Sequence, residues 1–317
     1  MKDTKIGFVG LGNVGNKVAY NILKTNYYTL YVYDSNKKSS DNLVSEGAIL
    51  CKSLEELVNN VTVFITCLPS PKAVKNVLLN CLPFIKKYHL WIEMSTTDEE
   101  DMKMLSSLLF KKKAQVLEAP ITGGQHRAES GNISILVGGS RKNFKRSFHI
   151  LSCIGYKILH CGKIGNASTL KVVTNYLASI NLLAIGEALM VCKKYGLDLK
   201  TAYNGIKISS GNSFVHETEG QVILNGSYDV GFTMDLVCKD VGLFNKLTKK
   251  FKIPAKISNL MVRAFKNGEK KLGKRSFSTS IVKLLEDDCH ENLRSKGFPA
   301  VLIDKNKKKK GIEVHND

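Results

Sequence analysis

Apolar and polar positions in the first half of the chain fall into short runs that alternate with longer, helix-spaced stretches. The runs Lys5–Val9, Thr29–Tyr33, Val61–Leu68, Leu90–Ser95, Gln115–Glu118, Ile133–Val137 and Tyr156–Leu159 are rich in β-branched and aromatic residues. They are bounded by Gly, Pro, Asp or Ser, which predicts strands. Between them, 13–25, 53–59, 71–80, 98–112 and 141–153 carry helical spacing. Alternation at this interval predicts a mostly parallel sheet with helices on both faces.

The pattern changes near residue 164. From Asn166 to Tyr195 one apolar, helix-compatible stretch runs without proline, long enough for a helix of about 45 Å. Segments at 198–209, 233–250, 255–267 and 278–292 also predict helices, and no strand pattern is evident after Leu159. The expected fold class is therefore an α/β domain over 1–163, then an all-α domain over 164–300 entered through a long helix. Residues 301–317 are expected to form a basic, flexible tail.

Composition bounds the function. The 317 residues are 43% hydrophobic, enough for two buried cores. The net charge of +19 raises the question of a nucleic-acid partner, but residues 1–163 carry +9 and residues 164–317 carry +10. The one dense cluster, Lys305 and Lys307–Lys310, lies in a segment of net +2. A solvated basic surface that draws anionic substrates accounts for this, and no nucleic-acid partner is expected. None of the eight cysteines forms a CxxC pair or zinc-ligand spacing, so reduced thiols and no metal are expected. The first strand pattern starts at Lys5, and the apolar stretch 172–191 contains Asn175, Asn181 and Glu187. These features point to a cytoplasmic chain without a membrane span.

Four motifs carry the chemistry. Gly10-Leu11-Gly12-Asn13-Val14-Gly15 follows an apolar strand and opens a helix, and Asp34 ends the next strand nineteen residues later. That context is the dinucleotide fingerprint: Gly10 for the turn, Gly12 for approach of the pyrophosphate, Gly15 for helix–strand packing, Asp34 for the ribose hydroxyls. An acidic residue there favours NAD over NADP, while Lys37 and Lys38 close by oppose that preference. Leu68-Pro69-Ser70 and Glu93-Met94-Ser95-Thr96-Thr97 end two further strand patterns, where an open α/β sheet places its ligand crevice. Ser95, Thr96 or Thr97 either caps the following helix or binds the nicotinamide ribose. In Glu118-Ala119-Pro120-Ile121-Thr122-Gly123-Gly124 a strand breaks at proline and offers a hydroxyl and two glycine amides, either a tight turn or a carboxylate cradle. Lys171 and Asn175 are four apart near the start of the long helix, hence on one face. A helix N-terminus, desolvation and an oxidised nicotinamide would all lower a lysine from its usual value of about 10.4 toward acid/base use.

With these motifs in this order, the sequence resembles the β-hydroxyacid dehydrogenases, relatives of the N-terminal domain of 6-phosphogluconate dehydrogenase, over about residues 4–300. The matching stretches are GFVGLGNVG, TCLPSP, EMSTT, EAPITGGQHRAESGNISILVGG, GKIGNASTLKVVTN and FTMDLVCKDVGL. The resemblance implies a Rossmann-type dinucleotide domain, an NAD or NADP cofactor and a homo-oligomer. It further implies that Lys171 and Asn175 are catalytic, that Thr122, Gly123 and Gly124 hold the substrate carboxylate, and that Leu68, Pro69, Thr96 and Lys239 contact the cofactor. The substrate it implies is a short β-hydroxy acid or its semialdehyde. Departures from the family pattern are Thr122 for a usual serine, Ala167 for a glycine, Thr174 for an asparagine, and the bulky Gln125-His126-Arg127. Arg127 would add a cation suited to a second acidic group. Two alternatives follow from the same residues: an NADPH-driven reductase of glyoxylate, succinic semialdehyde or tartronate semialdehyde, or a non-enzymatic Rossmann protein with a basic tail.

Overall fold

The computed structural model describes residues 4–315. They divide into two units, the first made of residues up to Lys171 together with those from Asp304 onward, the second Val172–Ile303.

The first unit is built on one ten-stranded sheet. Its strands are β1 (Lys5–Val9), β2 (Thr29–Tyr33), β3 (Ile49–Leu50), β4 (Val63–Thr66), β5 (Leu90–Glu93), β6 (Gln115–Glu118), β7 (Ile121–Thr122), β8 (Ile133–Gly139), β9 (Gly155–Gly162) and β10 (Ile312–Val314). The order is β10-β9-β8-β6-β5-β4-β1-β2-β3, with β7 alongside β8. The pairs are parallel except β6–β8 and β7–β8. Alternate residues feed two cores. Ile6, Phe8, Leu30, Val32, Ile65 and Ile92 enter one with the helix Gly15–Leu23. Val9, Phe64, Trp91 and Val116 enter the other with the helices Leu54–Asn60, Pro71–Cys81 and Glu99–Lys111. Both faces are covered, as a parallel sheet requires.

The seven strand patterns all become strands, with ends moved by up to three residues. Three short strands, β3, β7 and β10, are additional. So are the helices Asp41–Ser45, Gln125–Ser130 and Phe214–Asn225.

The C-terminal segment departs most from expectation. Residues 301–317 were expected to form a flexible tail, but from Asp304 they belong to the first unit and close its sheet, β10 pairing with β9 through Ile312↔Lys157 and Val314↔Leu159. Asn132 holds the approach: its amide donates to Asp304 Oδ2 at 3.1 Å and to the carbonyls of Asn306 and Lys307, and its Oδ1 accepts from Lys309 N–H at 2.8 Å. Ser130 donates to Asp304 at 2.7 Å, the Lys308 ammonium donates to the Cys153 carbonyl, and Arg141 pairs with Glu313. Lys305 and Lys307–Lys310 are exposed, as the sequence predicts, but they lie on a strap anchored through Asp304, Asn306, Lys307 and Lys309.

The second unit is helical. The helix Asn166–Tyr195 begins in the first unit, and the division falls between Lys171 and Val172 rather than between residues 163 and 164, because the first turn is bound by a side chain of the first unit. By length and composition this helix is apolar enough to cross a membrane. Here it sends Leu182, Ile185, Leu189 and Met190 into a core with Met234, Val237, Phe265 and Val282. Tyr176 stacks on Phe244, rings 3.6 Å apart and nearly parallel.

Candidate active site

The glycine-rich turn joins β1 to the helix Gly15–Leu23. Gly10 has φ +95°, and a β-carbon there would overlap the Cys67 carbonyl. A β-carbon on Gly15 would overlap the Gly10 carbonyl, so the third glycine is required by the turn itself. At Gly12 a β-carbon would meet nothing within 4 Å. The backbone is therefore open where a pyrophosphate would approach, and the residues present fit a dinucleotide. Asp34 is tied to this turn: its Oδ2 accepts from Leu11 N–H at 2.6 Å and its Oδ1 from Asn36 N–H at 2.8 Å. Asn16 donates to the Ser39 carbonyl at 2.8 Å, fixing the segment that carries Lys37 and Lys38. Cys67 lies beneath; burial and nearby Glu93 push its thiol up to about 12, so it stays protonated.

The loops after β4 and β5 are joined. The Leu68 N–H donates to Ser95 Oγ at 2.7 Å, and the Ser95 N–H donates to Glu93 Oε1 at 2.6 Å. Glu93 also accepts from the Thr66 hydroxyl, which receives the Trp91 indole N–H at 2.8 Å. Burial pushes the Glu93 carboxyl up to about 7 against the pull of these donors. The helix after this loop is capped by Asp98, which accepts from Glu100 N–H. Capping by Ser95, Thr96 or Thr97 is thereby excluded: Ser95 binds Leu68, and Thr97 meets Ser168 Oγ at 3.4 Å. Leu68 and Thr96 are half-buried and Pro69 is exposed.

Thr122 ends β7, and the two glycines after it turn the chain with φ +124° and +84°. Each is overlaid by a side chain. The Arg127 δ-carbon lies 3.2 Å from where a Gly123 β-carbon would be, and the His126 ring 3.0 Å from the corresponding point on Gly124. Burial, Arg127 and Lys17 lower the His126 imidazole, while Asp304 of the C-terminal strap opposes them.

Lys171 is 7% exposed, and Asn175 lies one turn further along the same helix. The Asn175 amide donates to Asp240 Oδ2 at 2.6 Å, and Lys239 Nζ pairs with Asp240 Oδ1 at 2.9 Å. Lys239 thus makes the ion pair with its neighbour that its sequence context allows, and Asp240, 1% exposed, links it to Asn175. Sequence reasoning offered Asp240, beside Asp235, only as an ion-pair partner for Lys239, and missed its bond to Asn175. It also missed Glu118 and Ser168, whose link spans fifty residues.

The family model for the NAD binding domain of 6-phosphogluconate dehydrogenase matches residues 5–162. The model for the NAD-binding region of NADP-dependent 3-hydroxyisobutyrate dehydrogenase matches residues 165–285. The chain is 30% identical to 2-(hydroxymethyl)glutarate dehydrogenase of Eubacterium barkeri, over 90% of this chain and 96% of that one. It is also 30% identical to the mitochondrial 3-hydroxyisobutyrate dehydrogenase of Mus musculus, over 90% and 88%. Among solved structures, Mycobacterium tuberculosis 3-hydroxyisobutyrate dehydrogenase with L-serine shares the fold with TM-score 0.81 at 24% identity, over 89% of this chain and 99% of that one. On these matches the chain belongs to the β-hydroxyacid dehydrogenases and is an NAD(P)-dependent enzyme of that family.

Proposed function

We propose that Lys171 is the general acid/base, and that the enzyme interconverts a short β-hydroxy acid and its semialdehyde or keto form. The observation that carries this is the near-complete burial of Lys171 one helical turn from an asparagine whose amide is itself held by Asp240. The Thr122 hydroxyl and the Gly123 and Gly124 amides receive the substrate carboxylate. Asn175 orients the reacting oxygen. In its amine form Lys171 accepts the hydroxyl proton as the carbonyl forms, and in reduction it returns that proton. Gly10–Gly15, Asp34, Leu68, Pro69, Thr96 and Lys239 hold the dinucleotide, which supplies the hydride acceptor or donor when bound. Asp34 favours NAD, because its carboxylate repels a 2′-phosphate.

A finer substrate reading has its own support. Arg127 lies along the Gly123 turn, and one relative is named for a substrate with two carboxylates. We place this enzyme with those that prefer a β-hydroxy diacid. We also propose a cytoplasmic homo-oligomer. The eight free thiols support the reducing compartment, and fractionation tests the location. Phe251, Ile253, Ile257 and Leu260, each more than half exposed on the helical unit, support the assembly, which light scattering tests.

The deciding experiment is absorbance at 340 nm with NAD and NADP against 3-hydroxyisobutyrate, 2-(hydroxymethyl)glutarate, L-serine, D-glycerate, 4-hydroxybutyrate and glycolate, with the carbonyl forms in reverse. Turnover of one β-hydroxy acid with NAD ahead of NADP is expected. Turnover only of semialdehydes with NADPH would replace this reading with the reductase one.

A further inference from the structure

The helix that carries Lys171 starts without a cap of its own. The residue before it is Gly165, at φ +97°, which has no side chain to accept the first free N–H groups. Glu118, at the end of β6, takes that place. Its Oε1 accepts from the Gly165 and Ala167 N–H groups, both at 2.8 Å, and its Oε2 accepts from the Ser168 hydroxyl at 2.6 Å. The carboxyl group is fully buried. Burial raises its proton affinity, and the helix donors act in the opposite sense.

The surroundings leave room for this contact and little else. Gly138 lies beside Glu118 in the β6–β8 register, and a β-carbon there would overlap the carboxylate oxygen. Ser168 is shared: its hydroxyl donates to Glu118 and lies 3.4 Å from Thr97 Oγ1, on the loop that follows β5. Glu118 also stands four residues before Thr122, on the strand that leads into the glycine turn. Lys171 is three residues beyond Ser168, on the same helix face and about 4.5 Å further along the axis. One carboxylate therefore joins the strand before the substrate turn to the first turn of the lysine helix.

We infer that Glu118 is a positioning residue for the reaction: by binding the Gly165 and Ala167 amides and the Ser168 hydroxyl, it fixes the helix start that sets where Lys171 stands. This rests on Lys171 as the acid/base. A displacement of about 1 Å in a catalytic group costs on the order of 100-fold in rate, so loosening this cap lowers kcat without abolishing binding.

The test is a double-mutant cycle on the full-length enzyme with Glu118→Gln, Lys171→Ala and the two combined. The readouts are kcat, KM for the hydroxy acid, and NADH affinity by fluorescence titration. Glu118→Gln is expected to lower kcat by about 10–100-fold, with NADH affinity and KM within about 3-fold of the parent. Added to Lys171→Ala, it is expected to cost nothing more, because the group it positions is gone. Glu118→Asp, which keeps the charge, is expected to recover part of the rate. Parallel loss of NADH affinity and kcat, or losses that multiply in the double variant, would overturn the proposal. If Glu118→Gln does not fold, Ser168→Ala keeps the carboxylate and both backbone donors and enters the same cycle. Near-normal turnover in Lys171→Ala alone would instead remove the acid/base reading, and this proposal with it.

Discussion

Asp34 and Leu11 are joined by a 2.6 Å hydrogen bond from the Leu11 backbone to the aspartate, so the acid at the end of β2 is oriented by the glycine-rich turn that follows β1. Asp34→Ser removes a negative charge while keeping a small polar group beside Lys37 and Lys38. The ratio of kcat/KM for NAD over NADP is expected to fall by at least about 10-fold, the worth of one charged hydrogen bond. Steady-state kinetics with both dinucleotides measures it, and an unchanged ratio would show that Asp34 does not choose the cofactor.

Lys171→Ala is expected to lower kcat by about 100- to 10,000-fold, the range of general acid–base catalysis, while dinucleotide still binds. Fluorescence titration separates binding from turnover. A variant that turns over within a few-fold of the parent would leave the proton to another group.

Arg127→Ala tests the diacid preference. A lost cation–carboxylate contact is worth about 10-fold or more, so kcat/KM for 2-(hydroxymethyl)glutarate is expected to fall by that factor and that for 3-hydroxyisobutyrate to change little. Thermal shift with glutarate and butyrate, neither of which reacts, gives an independent reading. Equal effects on mono- and diacids would assign Arg127 to packing against Gly123.

Glu93 makes stability depend on pH. Its carboxyl, raised from 4.5 to about 7 by burial, holds a proton in the folded protein that the unfolded chain has released. Stability from this group is complete below pH 4.5 and is lost as pH rises through about 7. Glu93→Gln keeps the shape without the ionisation, so its Tm is expected to fall less than the parent's between pH 5 and 8. Parallel melting curves across that range would mean that Glu93 titrates normally.

Most of the sheet is legible in the chain because each strand sends alternate residues into two cores, and β-branched runs between glycines mark it. The long helix is legible for its length. The helix Phe214–Asn225 lacks clean periodicity, yet its ends are written locally: Ser213 accepts the His216 N–H at 3.0 Å, and Gly226 closes it at φ +90°. Strand β10 is three residues long, mostly exposed, and preceded by lysines, so nothing local announces it. The glycine turn and the lysine–asparagine spacing can be read from neighbours in sequence. The partners that hold them cannot, because Glu118 reaches Ser168 across fifty residues and Asn175 reaches Asp240 across sixty-five.

Because the strap from Asp304 to Val314 completes the sheet that starts at Lys5, the nucleotide-binding unit is finished by residues that follow the helical unit in the sequence. Its edge strand pairs only after the whole helical unit has been synthesised, a closure across roughly 150 residues that adds to the slowest class of folding contacts. A premature stop anywhere before residue 304 would leave β9 as a bare edge, open to pairing with another chain. Truncations that remove the strap after residue 304 are therefore expected to injure the domain that precedes the helical unit.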